Sequence, residues 1–298
     1  MAGGLQIDNV YIETFENNVK HLAQQMNTKL RGTVMERGTN GNQHAWDILD
    51  FSDAVDKETS APPTPDLDLP WSRRVSIAGT KHSGSVVDNE DIVQMLIEPK
   101  SAITQNLSMS MNRSIDDIII AAATGDALDG GGTDNALPAS QILGDYSTPI
   151  SFDFLTAVQE QFMKADIDPT EEKYAVVSPT QVRKLMQLTQ ATSRDYAMAT
   201  PAGASTVLQQ LNASGVCENF MGFKWIMSNR LLSPDTDQID CLFYCPSALG
   251  LQVNEDITVQ IAQDPSASFA WRIYSRLTMG AVRVQDKKII TGHLADTL

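Results

Sequence analysis

One long helical segment limits the folds open to this chain more than any other feature. Residues 91–98 form a charged, extended run, Pro99 follows, and residues 100–123 lead into Thr124, Gly125 and Asp126. Apolar side chains recur there at Ile103, Leu107, Met111, Ile115, Ile118 and Ala122, drawing one stripe along a helix of 3.6 residues per turn. Pro99 suits the first helical position, where an N–H has no partner in any case, and Gly125 suits a left-handed terminator. At 1.5 Å per residue the helix runs roughly 35 Å, so it is either a buried spine or an interaction rod. Asp116 and Asp117 follow Ile115 around the helix by about 100 and 200 degrees and are predicted to face solvent or a basic partner.

Composition removes several classes. A chain of 298 residues, 42% of them apolar, can build two packed units or one core with large excursions. No run approaches about eighteen consecutive apolar residues, and the opening Met1-Ala-Gly-Gly lacks the pattern of a secretion signal. The expectation is a chain folded in cytosol with no membrane contact. Its 22 basic and 37 acidic residues give a formal charge of −15, so as a whole it repels nucleic acid. Cys217, Cys241 and Cys245 lie in apolar or strand-like surroundings without a C-x-x-C pair, as reduced packing residues do.

Residues 9–27 place Tyr11, Phe15, Val19, Leu22 and Met26 at helical spacing, predicting an amphipathic helix, and residues 36–43 read as a loop. An extended arm begins at Trp46, while Pro62, Pro63 and Pro65 keep the following stretch out of any sheet interior. Residues 71–77 alternate as the return strand, so residues 36–85 read as a protruding, loosely packed hairpin. Ordering such an arm costs roughly 1 to 2 kcal/mol per residue in backbone entropy, which burial against another subunit would offset. The acidic, glycine-rich stretch 125–135 lacks both the ligand spacing of a calcium loop and the lysine of a phosphate loop, and reads as a turn. From Ser151 the pattern becomes mixed: a helix through Phe154, Val158 and Phe162, a strand at 174–178, and a helix opened by Pro179. Strands follow within 215–228, 239–245, 252–261, 268–279 and 281–290, the last two joined through Gly280.

No chemical motif emerges. His21, His44, His82 and His293 are read on a helix, an irregular stretch, a loop and the tail, and none has a metal-ligating companion at the required spacing. Ser83, in the loop-like Lys81-His82-Ser83-Gly84, lacks the strained elbow of a nucleophilic serine. Asp116 and Asp117, or Glu255 and Asp256, diverge as neighbours and do not share a substrate. Arg73 and Arg74 beside Trp71 suit an acidic patch on a partner subunit at least as well as a phosphate. No catalytic, cofactor-binding or metal-ligating residue is assigned, and no enzymatic activity is expected.

The phrases His21-Leu22-Ala23-Gln24-Gln25, Leu30-Arg31-Gly32, Arg73-Arg74-Val75, Glu98-Pro99-Lys100-Ser101 and, above all, residues 113–127 with Asp116-Asp117 and Gly125 follow one another along the chain. In this order they resemble a tailed-bacteriophage major capsid protein of the HK97-like fold family. Residues 174–179, Gly222-Phe223, residues 248–257 and 280–284 extend the resemblance over nearly the whole chain. It implies an α+β fold with an N-terminal arm at 1–35, an extended loop at 36–85 and a peripheral domain with spine helix at 86–135. An axial domain would follow at 136–265, and strands 266–298 would return to the peripheral sheet. It also implies a self-assembling icosahedral head around double-stranded DNA, built of hexamers and pentamers in the host cytoplasm. Scaffolding, portal and decoration proteins are its implied partners, with weak nonspecific contact to DNA. Some relatives join subunits by a lysine–asparagine isopeptide bond, but no such pair is matched here. The alternatives are a nanocompartment shell protein, and an α+β hydrolase using Asp126, Asp129 or Asp134.

Overall fold

The computed structural model describes residues 24–50, 52, 54–57, 59–60, 69–88, 99–187 and 216–297. In chain order the strands and helices are β1 (Met35–Gly38), β2 (Gln43–Leu49), β3 (Trp71–Ile77), β4 (Gly79–Val87), α1 (Pro99–Thr124), β5 (Ala127–Leu128), β6 (Asp134–Asn135) and β7 (Ile142–Leu143). Then come α2 (Phe152–Lys164), β8 (Tyr174–Val177), α3 (Pro179–Gln187), β9 (Val216–Phe220), β10 (Phe223–Met227), β11 (Gln238–Tyr244), β12 (Leu249–Asp264), β13 (Ala270–Arg283) and β14 (Ile289–Ala295).

Two sheets organise these elements. A four-stranded sheet in the order β1-β12-β13-β4 carries α1, and a six-stranded sheet in the order β7-β14-β11-β8-β10-β9 is associated with α2 and α3. Strand β11 is buried from Ile239 to Tyr244, which is why residues 241–244 read as a continuous apolar run and not as an alternation. Phe223, Trp225 and Phe243 meet edge to face within this unit, with ring centroids 5.7 to 6.4 Å apart. Ser151 caps α2 by accepting from Phe154 N at 3.1 Å, and the helix buries Leu155, Val158 and Phe162. Side chains from both sheets and from α1 form one continuous core.

Helix α1 keeps its expected ends, and Met111 and Ile115 of the expected stripe are buried, but the rest of the inward face is shifted around the helix. Its buried residues are Met109, Met111, Ile115, Asp116, Ile119, Ile120 and Ala123, whereas Ile103, Leu107, Ile118 and Ala122 are only half-buried. Three consecutive isoleucines, 118 to 120, satisfy more than one helical stripe, and the sheet selects among them. Gly125 does not adopt a left-handed conformation. A side chain there would instead place Cβ 2.7 Å from the carbonyl oxygen of Ala121, so glycine is required by close approach.

Other expectations change through pairing between distant segments. The stretch 81–84, expected as a loop, lies in β4 and pairs antiparallel with β13, His82 opposite Arg276. His44 and His293 also sit on strands, β2 and β14. Gly280 lies inside β13 and joins no separate strands; a Cβ there would meet Ile77 O at 2.2 Å. The expected helix at 9–27 falls outside the described residues up to 23, and residues 24–27 are not helical.

Candidate functional site: the arm, the long helix and their joints

The hairpin arm consists of β2 and β3, in register from Gln43 opposite Ile77 to Leu49 opposite Trp71. Its base is firmly seated. Trp46 is buried against Gly250 of β12, where a Cβ would come within 2.6 to 2.9 Å of the indole ring. The indole N–H of Trp46 donates to Ser76 Oγ at 3.1 Å, Ser76 donates to Gln252 Oε1 at 2.8 Å, and Gln252 Nε2 donates to Gly41 O at 2.8 Å. The outer end differs: Leu49 is 48% exposed, Val55 62% and Trp71 72%. Arg73 pairs with Asp47 across the exposed face and holds its carboxyl below the usual range.

The chain leading into β1 is gripped by α1. Asp116 is 0% exposed, and its carboxylate accepts from Lys29 N at 3.0 Å, Leu30 N at 3.1 Å and Gln25 Nε2 at 2.5 Å. One turn away, Asn112 Nδ2 donates to Met26 O at 2.8 Å and Arg113 Nη1 donates to Gln24 Oε1 at 2.7 Å. The expected solvent-facing position of Asp116 is therefore corrected. Burial raises its pKa above the ordinary 3.8, and the three donors oppose that shift. Asp117 does face a basic partner, Arg230, with Nη2 to Oδ2 at 2.5 Å. Just beyond, Arg31 bridges Glu36 and Asp256, fixing the entering chain to β12.

The carboxylates of the hydrolase alternative have different surroundings. Asp129 Oδ1 accepts from Gly131 N and Thr133 N, both at 2.8 Å, which makes it a turn residue as the sequence implied. Asp134 is exposed on β6, and Asp126 lines a trough of about 530 Å³ with Asp117, Lys81 and Ile118. Among the described residues no group of three or more His, Cys, Asp or Glu is placed to hold a metal. Cys241 and Cys245 are buried free thiols whose pKa burial pushes up to about 12; the side chain of Cys217 lies outside the described residues. No described helix is long and apolar enough to cross a membrane.

Sequence reasoning missed Asp116 as a clamp and Arg283 as a buried centre. Arg283 is 0% exposed at the end of β13 and binds Asp286, Gly125 O and Asn135 O. A basic residue continuing the strand alternation was its only signal.

A long helix laid on one sheet, a second sheet-based unit and an arm with an exposed apolar end are the parts of the chain that a shell subunit could use. The sequence profile of the phage capsid protein family matches residues 7–295, so the chain belongs to that family. It is a tailed-phage major capsid protein with an α+β HK97-like fold, a structural protein of the virion shell. Among solved structures, the capsid of cyanophage P-SCSP1u superposes with a TM-score of 0.73 at 16% identity, covering 99% of this chain and 96% of that chain. Mycobacterium phage Che8 gives 0.67 at 18% identity over 96% and 97% of the two chains, and the cyanophage Pam1 capsid 0.73 at 11% over 99% of both. No curated protein sequence matches significantly.

Proposed function

We propose that copies of this chain assemble as hexamers and pentamers into an icosahedral head around double-stranded DNA, and that the hairpin arm supplies contacts between neighbours. The observation that carries the proposal is the contrast along the arm: Trp46 buried at its base, Trp71 and Leu49 exposed at its outer end. A shell subunit needs heterologous contacts that do not close after a few copies, and an arm on a rigid body supplies them. Under this reading residues 1–35 are the N-terminal arm, 36–85 the extended loop, 86–135 the peripheral domain, 136–265 the axial domain and 266–298 the returning strands. Assembly takes place in the host cytoplasm with scaffolding and portal proteins, a decoration protein is a further partner, and DNA is held by weak nonspecific contact. The chain performs no chemistry of its own. The net charge of −15 accords with a surface that lets DNA pass without adhering.

The test is assembly itself. Negative-stain microscopy with light scattering should show capsomers, shells or tubes, and deleting residues 61–70 should reduce particle yield while circular dichroism remains unchanged. Monomers persisting across protein and salt concentrations, with a scaffolding partner supplied, would refute the proposal.

A further inference from the structure

The acidic glycine turn between β5 and β6 touches the arm, and Arg283 ties its far strand to the end of α1. Gly130 N donates to Arg73 O at 3.0 Å, and the backbones of Arg74 and Asp129 form an isolated antiparallel β-bridge. The Gly130 position is tight: a Cβ there would lie 3.1 Å from both Cβ and Cδ of Arg73. Beneath the turn, Arg74 Nη2 donates to Asp286 Oδ2 at 2.9 Å, and Arg283 Nε donates to Asp286 Oδ1 at 2.5 Å. Arg283 then reaches Gly125 O at 2.5 Å, immediately after α1, and Asn135 O at 2.8 Å on β6. These charges are sheltered, with side-chain exposures of 16% for Arg74, 19% for Asp286 and 0% for Arg283. A continuous polar path therefore runs from strand β3 of the arm to the last turn of the long helix.

We infer that the Arg74–Asp286–Arg283 joint, buttressed by the 127–135 turn, couples the orientation of the arm to the C-terminal turn of α1. Sheltered, charge-assisted hydrogen bonds are short and directional, so a swing of β3 displaces Asp286, and Asp286 displaces the group holding Gly125. An arm engaged by a neighbour would thus report that contact to the helix at the centre of its own subunit. This consequence rests on the proposed arm contact, whereas the coupling is internal to one subunit.

Hydrogen–deuterium exchange on unassembled full-length subunits tests it. Arg74→Met removes the charged link while retaining an unbranched side chain, and should speed exchange about tenfold in β3 and in residues 121–125 together. Asp47→Ala removes the exposed pair with Arg73 while leaving the Arg73 stem on Gly130, and should leave the helix end unchanged. Gly130→Ala should reproduce the joint loosening from the turn side without altering charge, which keeps the test open if Arg74→Met fails to fold. Faster exchange confined to β3 in both Arg74→Met and Gly130→Ala would overturn the coupling. Arm-deletion assembly tests the intersubunit contact separately, so failure of one reading is distinguishable from failure of the other.

Discussion

Replacing Asp116 separates two roles that a buried carboxylate can play, holding a charge and accepting hydrogen bonds. Its oxygens satisfy the backbone N–H groups of Lys29 and Leu30 as well as the amide of Gln25. Asp116→Ala strips the acceptor from two backbone groups, each costing about 1–3 kcal/mol when left unpaired in a buried site. Removing the carboxylate also relieves its desolvation, which outweighs the donors in setting its pKa. The net loss should be about 2–4 kcal/mol, read as a lower denaturant midpoint at unchanged slope. Asp116→Asn keeps one oxygen for the two N–H groups and discards the charge, so its midpoint should lie within about 1 kcal/mol of the parent.

The pH dependence supplies the sign. A carboxyl whose folded pKa is raised contributes stability that is fully present below 3.8 and is lost as pH climbs through the folded value. The stability of Asp116→Asn relative to the parent should therefore rise as pH increases from about 4 through that window. Equal midpoints for the Ala and Asn variants would refute the idea that backbone acceptance is what Asp116 supplies. A relative stability of the Asn variant that falls with pH would refute the burial argument.

Three further substitutions probe the packing. Ile115→Asp places a carboxylate at a fully buried position and adds desolvation to lost burial, a penalty on the order of 3 kcal/mol or more, so soluble yield should collapse. Asp117→Asn breaks only the partly exposed pair with Arg230 and should shift the midpoint by no more than about 1 kcal/mol. An unchanged midpoint for Ile115→Asp would sink the buried-helix assignment. Gly250→Ala forces a methyl into the Trp46 indole and should cost about 1–3 kcal/mol while changing tryptophan fluorescence; unaltered emission would contradict the seated base of the arm.

The ends of α1, the paired arm strands β2 and β3, strand β8 and the start of α3 were legible in the sequence. Each rests on a local signal: Pro99 and Gly125, the alternation of residues 71–77, the apolar run Ala175–Val177, and Pro179. The turn at 125–135 was legible for the same reason, since Asp129 caps groups only two and four residues away. The inward face of α1, the strand character of β4 and the two polar joints were decided by tertiary structure. Ile118, Ile119 and Ile120 are equivalent to a periodicity argument until β13 lies against the helix. His82 becomes a strand residue because Arg276 pairs with it, and Asp116 becomes buried because Lys29 and Leu30 bring their N–H groups to it. Caps and turns are satisfied by neighbours within a few residues, so composition records them. A buried polar group is stable only where partners from remote segments complete its hydrogen bonds, and its own sequence neighbourhood carries no trace of those partners.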